Sequence, residues 1–78
     1  MAVIKSFKLG KGNRVTLHPT QVVATVYYQE YDGRKILQID THGSDDREIP
    51  DKVSQTIQLD ESSAQQLFDL LKKDFGFR

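Results

Sequence analysis

Apolar and polar residues alternate along most of this chain, and near its end the alternation gives way to a helical spacing. Residues 3–9 place Phe7 and Leu9 in one phase and stop at Gly10-Lys11-Gly12-Asn13, which predicts a strand and then a turn. Residues 14–17 form a short β-type run closed by His18-Pro19, because proline lacks the N–H that a strand ladder needs. Two long β-rich runs, 21–31 and 34–41, flank Asp32-Gly33, a pair favoured in two-residue type I′ hairpin turns. That turn predicts a register: Tyr31 opposite Arg34, Gln29 opposite Ile36, Tyr28 opposite Leu37, Tyr27 opposite Gln38 and Val26 opposite Ile39. One side of the ribbon then carries Val22, Ala24, Val26, Tyr28, Leu37 and Ile39, a set suited to a core. The other carries Thr25, Tyr27, Gln29, Tyr31, Arg34, Ile36, Gln38 and Asp40.

Residues 42–52 are too rich in glycine, proline and charge to pack and predict a polar loop. Residues 53–59 set Val53, Gln55, Ile57 and Leu59 against Ser54, Thr56 and Gln58, a last strand with one apolar side. Asp60 is a suitable N-cap, Glu61 complements the positive end of a helix dipole, and Leu59 can staple to Ala64. Ala64, Leu67, Phe68 and Leu71 fall at i, i+3, i+4 and i+7, Lys72 and Lys73 suit the helix end, and Gly76 stops it. The pattern therefore predicts one α+β domain spanning 1–78: an antiparallel sheet of four to five strands followed by one amphipathic helix over 61–74.

Size bears on assembly. A chain of 78 residues buries only roughly 60–65% of its unfolded surface and is marginal alone. A homodimer through the helix residues Leu67, Phe68, Leu71 and Phe75 is the expected remedy. The absence of cysteine excludes a disulfide scaffold and thiolate chemistry, and fits a reducing compartment. Lys5 and Lys8 interrupt the apolar residues of the first nine positions, so no signal peptide or membrane span is expected there and a cytoplasmic location is. Net charge is zero, yet residues 1–35 carry +4 and the remainder −4, so charge is segregated along the chain.

Few residues offer catalytic chemistry. Asp40, Asp45, Asp46, Glu48 and Asp51 cluster around His42, as oxygen ligands of hard cations do, but their spacing is not that of an EF-hand loop. A metal-dependent nuclease is one reading of this cluster, and a solvated loop of turn-forming acids is the simpler one. His42, Ser44 and Asp45 are near neighbours on a loop, which does not hold proton-transfer geometry. No enzyme activity, metal or cofactor is expected. The polar side of the hairpin is different: Tyr27 and Tyr31 supply stacking platforms, Gln29 and Gln38 amide donors and acceptors, and Arg34 with Lys35 charge for phosphates. Tyrosines in such a place also serve as packing residues against a second subunit.

The run Ile-Leu-Gln-Ile-Asp-Thr, the loop ending Ile-Pro-Asp-Lys, then Thr-Ile-Gln-Leu-Asp-Glu and the Leu-Phe-Asp-Leu-Leu helix, all within 35–72, resemble the positive-cofactor-four-like transcriptional coactivator family. Residues 8–15, Lys-Leu-Gly-Lys-Gly-Asn-Arg-Val, are similar to that family's first strand and turn. The resemblance implies four antiparallel strands and a C-terminal helix, a homodimer formed through helices, and single-stranded DNA bound along curved sheets. Lys11 and Arg14 match the family's basic first turn, Ile39 and Asp40 its central strand, and Ile57 and Leu59 the strand leading into the helix. This chain departs from the pattern in Asp51-Lys52-Val53-Ser54-Gln55, where the family is basic and contains glycine, and in lacking a helix tryptophan. The chain also resembles short bacterial proteins labelled formyltransferase-like, but folate-dependent formyl transfer needs a pocket larger than this chain is expected to enclose.

The expected function is non-enzymatic binding of single-stranded nucleic acid, in transcription or DNA maintenance. Lys8, Lys11, Arg14, Arg34 and Lys35 would meet phosphates, and Tyr27 and Tyr31 would stack on bases. The alternative is a protein-interaction module that adds an edge strand or presents its acidic loop.

Overall fold

The hairpin is the organising element. In the computed structural model, which describes residues 1–12, 15–43 and 53–78, β2 (Ala24–Tyr31) and β3 (Arg34–His42) pair antiparallel across Asp32-Gly33. Both turn residues have positive φ, 49° at Asp32 and 78° at Gly33, as a type I′ turn requires. The register runs from Tyr31 opposite Arg34 to Ala24 opposite Thr41, so every predicted pair is present. Residues 21–23 were expected to extend this strand. They lie outside it, since Ala24 already faces the penultimate residue of β3.

β4 (Val53–Leu59) pairs antiparallel with the other side of β3, and the register shifts between Thr41 and His42. β1 (Ala2–Ile4) lies on the outer side of β4 and runs parallel to it, giving the order β1-β4-β3-β2. The sheet is thus four-stranded and mostly antiparallel, with one parallel edge that the alternation pattern did not predict.

β1 is also shorter than the expected 3–9, because of contacts distant in the chain. Past Ile4 the chain leaves the sheet edge: Lys5 forms an ion pair with Asp60, and the Phe7 N–H donates to Gln66 Oε1 on the helix at 3.0 Å. Once bonded to the helix, that backbone cannot continue a ladder with β4. Of the short strand expected at 14–17, residues 15–17 belong to no strand and Arg14 lies outside the described residues. Around Pro19 the Thr20 N–H donates to His18 Nδ1, closing a local turn.

The helix α1 (Glu61–Phe75) begins where predicted. Asp60 accepts from the Ser63 N–H at 2.9 Å, and Ser63 Oγ accepts from the Asp60 N–H at 3.0 Å, a reciprocal capping box. Lys5 and these Ser63 hydrogen bonds hold the Asp60 carboxyl down at about 2. Gly76, at φ 72°, ends the helix in the left-handed region. α1 rests on β3 and β4, covering Leu59, the sole apolar side chain among the described residues that is fully buried.

Candidate nucleic-acid interface

Antiparallel pairing places directly opposed residues on one face of a sheet. The face turned away from α1 therefore carries Thr25, Tyr27, Gln29 and Tyr31 from β2, Arg34, Ile36, Gln38 and Asp40 from β3, and Thr56 and Gln58 from β4. Tyr27 is 54% exposed and Tyr31 61%, so both rings stand open on this face. Together with Gln29, Ile36, Gln38, Asp40 and Gln58 they line a shallow hollow of about 310 Å³. It is too open to enclose a small molecule and suits a flat or extended ligand.

The floor of the hollow is a hydrogen-bonded polar ladder crossing two strands. Gln58 Nε2 donates to Gln38 Oε1 at 2.7 Å, and Gln38 Nε2 donates to Asp40 Oδ1 at 3.1 Å. Thr56 Oγ1 donates to the same carboxylate oxygen at 2.8 Å. A carboxylate oxygen only accepts, so Asp40 orients the first amide, and that amide orients the second. Asp40 is 7% exposed and sits mid-sheet, where its charge disfavours a phosphate directly above and leaves room for neutral bases. Beyond it, Thr25 Oγ1 and His42 Nε2 are hydrogen-bonded at 2.7 Å.

The predicted cations separate. Arg34 is opposite Tyr31 and shares its face. Lys35 is opposite Glu30, on the helix side, where its ammonium lies 3.4 Å from the Glu61 carboxylate. Lys35 thus belongs to the same end of the sheet as Arg34 but is turned off the tyrosine face. Lys8 and Lys11 are exposed, and Lys8 follows directly on the residue bonded to Gln66, so it leaves the fold beside α1. Arg14 and the loop acids Asp45, Asp46, Glu48 and Asp51 lie outside the described residues.

Sequence reasoning did not place Lys5, which meets Arg34 and Lys35 around an open hollow at the hairpin end of the sheet, edged by Asp60 and Glu61. It also missed Thr56 and Gln58 as part of the polar face. Their alternation in 53–59 was legible, but their neighbours depend on β4 pairing with β3. Of the expected helix contact residues, Leu67 and Leu71 are half-buried, whereas Phe68 and Phe75 are exposed. Lys72 covers the Phe68 ring at 5.4 Å, and Phe75 packs on Phe77 with centroids 5.3 Å apart.

Among the described residues no helix is long and apolar enough to cross a membrane. No family model matches the chain, and no curated protein or solved structure matches it either.

Proposed function

We propose that this protein binds single-stranded nucleic acid across the open face of its sheet, without catalysing a reaction. The observation that carries the reading is the pairing of two exposed tyrosines, Tyr27 and Tyr31, over a floor of oriented amides on a face the helix leaves bare. Aromatic rings accept any base by stacking, and amides such as Gln29, Gln38 and Gln58 offer both donors and acceptors to base edges. Arg34 supplies a phosphate contact at the hairpin end, Lys5 and Lys35 lie nearby but are paired with Asp60 and Glu61, and Lys8 and Lys11 are available to a longer strand. The buried Asp40 directs the phosphates toward the rim. The resemblance to positive-cofactor-four-like coactivators supports the same reading.

The proposal includes a homodimer. Val26, Tyr28, Phe68, Phe75 and Phe77 all stand more than half exposed, which supports a second copy covering them. Fluorescence anisotropy of a labelled oligothymidine tests the nucleic-acid reading, with binding expected at low salt and weakened as salt rises. No binding even at low salt overturns it in favour of a protein-interaction module.

A further inference from the structure

β2 is the free edge of the sheet, and among the described residues nothing blunts it. In a two-residue hairpin the residues flanking the turn, Tyr31 and Arg34, exchange backbone hydrogen bonds, and bonded pairs then recur at every second position. Thr25, Gln29, Tyr27 and Tyr31 therefore spend their N–H and C=O groups on β3, while Ala24, Val26, Tyr28 and Glu30 point theirs outward. Among the described residues no backbone or side-chain partner meets those outward groups. The strand is eight residues long, contains no proline and has a single charge, Glu30, whereas the opposite edge is the three-residue β1. Long, flat, weakly charged edges invite strand addition, and stable monomers protect them with short strands, prolines or lysines.

We infer that the β2 edge pairs with β2 of a second copy about a two-fold axis at Tyr27, joining two four-stranded sheets into one. The inference rests on the self-association proposed above and assigns it to the β2 edge, a surface separate from the helix residues Leu67, Phe68, Leu71 and Phe75 expected from the sequence. An antiparallel register centred on Tyr27 sets Val26 against Tyr28 and Ala24 against Glu30 of the other copy. Every outward N–H and C=O of the strand then has a partner. The strand is self-complementary in this register: the two Glu30 carboxylates face alanines instead of each other, and Val26 with Tyr28 forms a β-branched–aromatic cross-strand pair. Val22, Val23, Val26 and Tyr28 are exposed at this edge, so pairing also covers apolar surface. The tyrosine faces of the two copies become one continuous face, with Tyr27 of each beside the dyad.

Light scattering gives the mass of the intact protein, and amide hydrogen exchange reads the edge directly. The expected results are a dimer in which the Val26 and Tyr28 amides are protected as strongly as those of Tyr27 and Gln29. Val26→Pro removes an N–H that the hairpin does not use, so it is expected to yield a monomer that keeps its hairpin and helix. A dimer with fast-exchanging Val26 and Tyr28 amides overturns the edge pairing and leaves self-association standing. A wild-type monomer overturns both. If Val26→Pro does not fold, exchange in the wild type still decides.

Discussion

Replacing Tyr27 and Tyr31 by alanine, singly and together, perturbs the open face with little effect on the core, because both rings are more than half exposed. They stand four residues apart on one strand, so their Cα atoms are about 13 Å apart at ~3.3 Å per residue. At that separation, with no shared partner, they meet different bases and their effects should add. Loss of one stacking contact costs about 1–3 kcal/mol, so each single variant should bind oligothymidine roughly 5- to 150-fold more weakly, and the double variant by the product. Tyr28→Ala, compared only if light scattering shows that it keeps the wild-type mass, is the control: it removes an equally exposed ring one residue away, on the helix side of the sheet. Anisotropy titrations at fixed low salt, with circular dichroism to confirm folding, give all four affinities. If Tyr28→Ala weakens binding as much as Tyr27→Ala, or if the double variant binds like wild type, the assignment of the open face is wrong.

Arg34→Gln should reduce the slope of log K against log salt by about 0.7, the value of one phosphate contact to a single strand, while Lys35→Gln, turned toward Glu61, should change it less; equal slopes for the two variants would contradict their placement. Leu59→Ala should cost about 2–5 kcal/mol in urea unfolding, most of the stability of a domain this small, and a loss below ~1 kcal/mol would show that the core lies elsewhere. The Asp60 carboxyl sits at about 2 when folded against 3.8 ordinarily, so its contribution is present above pH ~4 and fades as pH falls toward 2. Lys5→Met removes the strongest cause of that depression and should flatten the acid-side fall in unfolding midpoint; identical pH profiles would refute the link. Gly33→Ala meets no neighbouring atoms, so any loss comes from its φ of 78° alone and should be about 1 kcal/mol, read from the urea midpoint.

The hairpin register, its turn, both helix caps and the hairpin's share of the tyrosine face were legible in the chain itself. Each depends on residues close in sequence: Asp32-Gly33 select the turn, the turn sets which residues face each other, and strict alternation then sorts Tyr27 and Tyr31 from Tyr28. Asp60 and Gly76 bound the helix for equally local reasons. Tertiary structure alone decided that β1 runs parallel to β4, that Gln58 and Thr56 lock the amides of the open face, and that Lys5 leaves the sheet for Asp60. Alternation says which residues share a face but carries no information about which strand lies next to which. That choice comes from competition among contacts distant in the chain, such as the hydrogen bond from Phe7 to Gln66 that draws the first segment off the sheet.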